Sequence, residues 1–229
     1  MADSRRVRPR VIAPAERVLA DVQEGLLRDG ARPGAHVPSE RDLTGSLGVS
    51  RRSAREALAA LEAVGVVRGG PAHRELAEAP AAGIGRLLRL LLVAESVPGP
   101  ALLTLRTELE RTAAEGAARR VDRRDRAELS ALLVAMREPG IPADRFARLD
   151  TALHLRIARA SHNQLHEQLM RGLRDAVAAR MAVAFRAVED WPATARRLAG
   201  EHDRLVGAIT AGDPAGAAEL AESHLRGFY

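Results

Sequence analysis

One Trp, one Tyr and three Phe are all the aromatic residues in a chain of 229, although 46% of it is apolar. A core of that size must then be built from Ala, Leu and Val. Alanine and leucine are good helix formers, whereas sheets draw on aromatic and β-branched residues. The composition therefore points to packed helices. With no Cys, a disulfide framework, a thiolate metal site and a cysteine nucleophile are excluded together. The lack of Cys suits a reducing cytoplasm, which is the expected compartment. No segment reads as a leader or a membrane span. MADSRRVRPR is followed by no apolar run, and GIGRLLRLLLVA (83–94) is interrupted by Arg86 and Arg89. That stretch also falls short of the ~18 apolar residues a bilayer needs.

All 35 basic residues are Arg, and the net charge is +5. Arginine alone raises a calculated isoelectric point, so the placement of charge matters more than its sum. Residues 1–74 hold 13 Arg against 9 acidic residues, while 75–229 hold 22 against 21. The basic excess sits in the N-terminal third, which favours a nucleic-acid partner there.

Turn residues over GGPAHRELAEAPAAG (69–83) divide the chain. Before them the spacing predicts three helices. The first starts at Pro14 and carries Val18, Val22 and Leu26 on one stripe. The second is short: Ser39 caps it, Leu43 and Leu47 face inward, and Gly48 ends it. The third opens at Ser50, buries Ala54, Leu58 and Leu61, and closes at Gly65. After the break, helices are expected at about 84–95, 100–120, 123–137, 143–160, 163–189, 192–211 and 214–227. Short loops make them antiparallel neighbours in an all-α bundle. The expected organisation is a basic arm over 1–13, a DNA-binding domain over 14–78 and a helical domain over 79–229.

A short helix, a glycine turn and a longer helix form the pattern of a helix-turn-helix, whose second helix enters the major groove. Arg51, Arg52, Ser53 and Arg55 occupy the first turns of the third helix, opposite its apolar face. Arg is the commonest bidentate reader of guanine. Arg41, early in the preceding helix, is within reach of a phosphate or a base. An amphipathic helix with a solvated Arg face shows the same pattern, so periodicity and charge leave both readings open.

PGAHVPSERDL (33–43) followed by GVSRRSAREALAALEAVGVV (48–67) resembles the winged helix-turn-helix of GntR-family transcription regulators. The resemblance implies that Arg41, Ser50, Arg51, Ser53 and Arg55 contact DNA. Arg52 stands where the family varies, and is expected to tune sequence choice. The wing departs from the family pattern. Val66-Val67-Arg68 suits a strand, but GGPAHREL is an atypical tip and the returning strand is weak. A small or degenerate β-wing is expected, poorly ordered without DNA, with Arg68, His73 and Arg74 supplying charge to the DNA backbone.

Histidine spacing carries the remaining signal. Asp150 and His154 are four apart and share a helical face. His202 and His224 fall in the last two helices. One carboxylate and three imidazoles suit a borderline divalent ion. His162 and His166, also four apart, form a competing pair, and scattered helical histidines are often merely solvated or packed.

The C-terminal region also has a family likeness. LLTLRTELERTAAEGAAR (102–119), RLDTALHLRIARASHNQL (148–165) and GEHDRLVGAITAGDPAGAAELAESHL (200–225) resemble the FCD effector domain of the FadR-like branch of GntR regulators. That resemblance implies a divalent metal ion held by Asp150, His154, His202 and His224, with Zn expected and Ni or Mn as alternatives. It also implies an effector carboxylate on Arg106, although Arg106 is equally placed to pair with Glu110 on the surface. Asn163 matches a residue that starts the next helix, and is expected either to cap it or to touch the effector.

Taken together, the fold class expected is mainly α. A winged helix-turn-helix precedes an FCD-like antiparallel bundle, in a ligand-responsive repressor that binds a pseudo-palindromic operator in double-stranded DNA as a homodimer. A small carboxylate modulates it, and no membrane or catalytic role is expected. The alternative from another class is a helical metal-dependent hydrolase, with metal-bound water as nucleophile. Against it, no general base is placed beside the ligands, and it leaves the Arg-rich third helix unexplained.

Overall fold

In the computed structural model, residues 14–70, 73–78, 81–93 and 99–228 are described. The basic arm over 1–13, the wing tip at 71–72 and the end of the expected helix at 94–95 lie outside them. Two units are distinguished, residues 1–83 and 84–229.

Local signals shape the first unit. Helix α1 (Pro14–Arg28) starts on its proline and buries Val18 and Val22. Helix α2 (Glu40–Leu47) has a full capping box between Ser39 and Asp42, and ends on Gly48 at φ 63°. That left-handed turn redirects the chain into α3 (Arg51–Ala63), capped by Ser50. Ala54, Leu58 and Leu61 of α3 meet Val18, Val22, Val37 and Leu43 in one apolar core.

A small β-wing is present, as expected, and only the weakness assigned to its returning strand is corrected. Strands β1 (Val67–Gly70) and β2 (His73–Leu76) form an antiparallel pair with Val67 opposite Leu76 and Gly70 opposite His73. The hairpin is small but not degenerate, because β2 is bordered on its other edge as well. Val37 N–H donates to Arg74 O, Leu76 N–H to Ala35 O and Gly34 N–H to Leu76 O, each at 2.9 Å. The segment between α1 and α2 thus satisfies backbone groups that an isolated edge strand leaves open. Arg74 is also corrected: it is 5% exposed and its Nε donates to Glu62 Oε1 at 2.6 Å. It is therefore a structural residue rather than a backbone contact. Arg68 pairs with Glu75 at 2.8 Å.

The second unit contains the expected helices within a few residues of their expected bounds. Helix α4 (Ala81–Val93) crosses the division. It is followed by α5 (Gly99–Arg120), α6 (Arg123–Met136), α7 (Ala143–Ala160), α8 (Gln164–Arg186), α9 (Trp191–Ala211) and α10 (Pro214–Phe228). Asp122, Asn163 and Asp190 cap α6, α8 and α9 with their side chains. Helix α10 packs along α5, and α7 packs against α5, α6 and α8. Buried alanines on α5 (Ala113, Ala114, Ala117) and on α10 (Ala217, Ala221) belong to the same core. Alanine lets helix axes approach and loses no side-chain entropy on burial. Three of the few aromatics meet at one place, Phe146 edge-on to both Phe185 and Trp191. The Trp191 indole N–H donates to Ile141 O at 2.8 Å. No helix among the described residues is long and apolar enough to cross a membrane.

The hairpin places a specific demand on Gly69, which sits at φ 109°, where a Cβ would lie 2.2 Å from His73 O. Gly69→Ala should therefore destabilise the chain by at least about 1–3 kcal/mol, read as a lower urea midpoint. An unchanged midpoint would mean that the hairpin does not depend on this conformation.

Candidate nucleic-acid interface and metal centre

The first unit carries the basic face. Ser50 Oγ accepts from Ser53 N–H at 3.1 Å and lies 2.9 Å from Ser53 Oγ. Both hydroxyls therefore sit at the N-terminus of α3, where helix polarity favours a phosphate. Arg41, Arg51, Arg52 and Arg55 are all exposed. Arg52 pairs with Glu56 one turn on, at 2.8 Å. Arg55 reaches across to Glu40 at the start of α2, its Nε and Nη2 each 3.3 Å from a carboxylate oxygen. Arg41 and Arg51 form no ion pair among the described residues. Arg41, Ser50, Arg51, Arg52, Ser53 and Arg55 thus lie on α2, α3 or the cap between them, while Arg68 and His73 lie on the wing.

In the second unit, Asp150 and His154 on α7 meet His202 of α9 and His224 of α10. All four are buried, and one ligand atom from each lies within 4.8 Å of the others. His202 Nε2 is 3.1 Å from His224 Nε2 and 3.3 Å from Asp150 Oδ1. His154 Nε2 is 3.5 Å from the same oxygen and has no hydrogen-bond partner. Two imidazole nitrogens at such a separation cannot both carry a proton toward each other. An ion holding nitrogens at about 2.0–2.1 Å would space them about 3.3 Å apart in a tetrahedron. The observed spacings fit a common cation.

The outer nitrogens support the same orientation. His224 Nδ1 lies 2.8 Å from Glu201 Oε2, and His154 Nδ1 contacts Glu110 Oε2. A carboxylate on the outer nitrogen fixes the tautomer that turns the inner lone pair toward a metal. Burial pushes His202 down to about 4, so its ring is neutral and able to coordinate near neutral pH.

Arg174, which sequence reasoning missed, and Glu110, which it named only as a partner of Arg106, complete the centre. Arg174, 1% exposed, places Nη1 2.9 Å from Asp150 Oδ2 and Nη2 3.0 Å from Glu110 Oε1. Glu110 also accepts from Arg106 Nε at 2.8 Å. Burial opposes ionisation of both carboxyls. For Glu110 it is outweighed by Arg174, His154 and Arg106, and for Asp150 by His154 and Arg174, so both stay well below the usual carboxylate range. Glu110 sits one turn after Arg106, so the pair was legible in the sequence. Nothing in the sequence set Arg174 apart from the other arginines.

The Arg106–Glu110 pair is therefore buried, which corrects the alternative that placed it on the surface. Beside it, Ala113, Ala114, Ile157, Met170 and Ala221 close against Glu110 and His154 without room for a water molecule. His162 and His166 diverge: His162 Nε2 is 3.1 Å from Asp125 Oδ2, while His166 Nε2 is 2.7 Å from Leu109 O. Asn163 caps α8, its Oδ1 accepting from His166 N–H at 3.1 Å. It lines a polar hollow with Arg119 and Arg120, separate from the space beside Glu110. A hollow of about 490 Å³ lies between the α6–α7 loop and α9, walled by Trp191, and none of the four converging residues lines it.

Comparison with known proteins divides the chain in the same way. Residues 14–69 match the family of bacterial regulatory proteins called gntR, and residues 101–227 match the FCD domain. The chain is 32% identical to the HTH-type transcriptional regulator LutR of Bacillus subtilis, across 87% of this chain and 93% of that protein. It is 28% identical to the Glc operon transcriptional activator of Escherichia coli, across 93% and 87%. A solved structure of Streptococcus agalactiae GntR has the same fold, with a TM-score of 0.60 at 18% identity, covering 93% of this chain and 98% of that one.

Arg174 offers a direct measure of the buried network. Removing it leaves Asp150 and Glu110 buried with less compensation, which typically costs about 3–5 kcal/mol. Arg174→Met should lower the unfolding free energy by that order in urea titration. A loss below about 1 kcal/mol, the range of exposed pairs, would show that the network is not what holds α7 and α8 together.

Proposed function

The chain belongs to the GntR family of bacterial regulatory proteins and carries an FCD domain, and on that premise we propose a repressor whose grip on its operator is released by a small carboxylate. It is a DNA-binding transcription regulator and not an enzyme, so the hydrolase alternative is not taken up. The operator is pseudo-palindromic and the active form is a homodimer. One α3 reads one half-site, and two identical heads require two-fold symmetry. One relative is an activator by name, so the tests below read DNA occupancy rather than the sign of regulation.

The observation that carries the effector reading is the charge balance around the four converging residues. Arg106 and Arg174 are offset by Glu110 and Asp150, all buried. Asp150, His154, His202 and His224 would hold one divalent ion, Zn by preference, with Ni or Mn as alternatives. A dication there supplies Lewis-acid attraction for a carboxylate oxygen. Imidazoles bind metal only when neutral, so the loaded centre carries excess positive charge in a dry interior. An anion relieves that cost. Arg106 supplies the planar donor fork that suits a carboxylate. Asn163, in its separate hollow, has a capping role.

Because the space beside Glu110 and His154 is closed, an effector enters only by displacing side chains. It weakens DNA binding by favouring the bundle arrangement that accommodates it over the one that fits the operator. Linkage then requires the carboxylate to bind the DNA-bound dimer less tightly by the same factor.

Two experiments test this reading. DNA bound from a random pool, then challenged with a library of carboxylic acids, identifies operator and effector together. Against that pair, Arg106→Ala should bind the operator as wild type yet resist release, a loss of about 1–3 kcal/mol of coupling. Release at the wild-type effector concentration would place the carboxylate elsewhere. For the metal, His224→Ala should lower metal content and the metal-dependent rise in Tm, and His36→Ala should change neither. Full metal content in a His154→Ala/His202→Ala double variant would rule the centre out.

A further inference from the structure

Arg55 and Glu40 raise a question that the basic face alone does not answer: why a carboxylate sits among residues meant for DNA. The geometry is specific. Glu40 meets Arg55 along its side edge, with Nε and Nη2 each 3.3 Å from one carboxylate oxygen. A guanidinium has two usable edges, this one and the end-on pair formed by Nη1 and the outer N–H of Nη2. Occupying the side edge leaves the end-on pair, which suits guanine O6 and N7.

Glu40 is itself held from behind. It is the first residue of α2, behind the Ser39–Asp42 capping box. The wing also reaches it: Arg74 Nη2 is 4.0 Å from Glu40 Oε1, while Arg74 Nε is anchored on Glu62 near the end of α3. Arg74 is buried at 5% exposure and Arg55 remains 69% exposed. Charge therefore alternates from the buried wing residue to the exposed helix residue, across three elements. The Arg52–Glu56 pair has no such backing, with its side chains 88% and 52% exposed.

We propose that Glu40 is a positioning residue for base recognition, holding Arg55 so that its end-on N–H pair faces the major groove, with Arg74 of the wing fixing Glu40 in turn. The inference rests on the proposed reading of a half-site by α3, and assigns Arg55, among its DNA-contacting residues, to a base. It adds selectivity at the expense of general affinity. A carboxylate at the interface repels phosphate on every sequence, while a pre-set guanidinium loses less freedom only where guanine is correctly placed.

The test uses the full-length protein, the operator selected above, the same duplex with single guanine replacements, and a random duplex, read by fluorescence anisotropy. Arg55→Ala should lose discrimination at one guanine by about tenfold or more. Glu40→Gln should bind random DNA more tightly, bind the selected operator more weakly, and lose about five- to tenfold in preference at that same guanine. In the Arg55→Ala background, Glu40→Gln should leave base preference unchanged, because its effect passes through Arg55. If Glu40→Gln tightens operator and random DNA by one factor, Glu40 is only a repulsive charge and the proposal fails. If it weakens both equally with a lowered Tm, Glu40 is structural and the proposal also fails. Should Arg55→Ala keep full base preference, the assignment of Arg55 falls and takes this inference with it. Loss of preference in Arg55→Ala but not in Glu40→Gln overturns the positioning role alone.

Discussion

Arg174 stands between Asp150 and Glu110 in the centre of the helical unit, with almost no exposed surface. Those carboxylates come from α7 and α5, and the guanidinium from α8. Left to themselves, two buried carboxylates would take up protons rather than stay charged so close together. The guanidinium, together with His154 and, for Glu110, Arg106, keeps them ionised, and each then performs a second task. Asp150 points its other oxygen at His154 and His202, while Glu110 orients His154 through its outer nitrogen. His154 and His202 thus face carboxylates that one arginine holds in place, while His224 is held from outside by Glu201. Such networks contribute little net stability against an apolar core of equal volume. What this one contributes is a fixed set of lone pairs aimed at one point.

The first unit solves a different problem with the same residue types. A helix carrying Arg51, Arg52 and Arg55 would attract any polyanion, and DNA offers phosphates at every position. Glu40 and Glu56 take up two of these arginines, leaving Arg41 and Arg51 outside the described ion pairs.

Legibility followed the range of the interactions. Ser39, Ser50 and Asn163 announced their helices because a cap depends only on neighbours within one turn. Val18 with Val22, and Leu58 with Leu61, gave away their buried faces by spacing alone. Asp150 and His154 were visible as a pair on one helix; His202 and His224 from the last two helices were candidates beside them, and family likeness is what set the four apart from histidines that are merely packed or solvated. The returning strand of the wing was underestimated because its other edge is bordered by Ala35 and Val37, far away in sequence. Arg74 was assigned to the DNA backbone, and Arg174 was lost among many other arginines. Burial is what distinguishes them, and burial is set by the elements that pack around a residue rather than by its neighbours in the chain.

Trp191 gives the molecule an optical property of its own. It is the single tryptophan, its ring 5.3 Å from Phe146 edge-on, and Phe146 in turn lies over His202 with ring centroids 6.2 Å apart. Indole emission therefore originates one aromatic ring away from the buried centre and from nowhere else in the chain. A shift of His202 that carries Phe146 with it changes the polarity and quenching around that one emitter. The absence of Cys leaves thiol chemistry vacant as well, so a cysteine introduced on α3 would carry an acceptor dye at a single defined place. Events at the centre and at the DNA-binding helix can then be followed in the same sample, each by its own light.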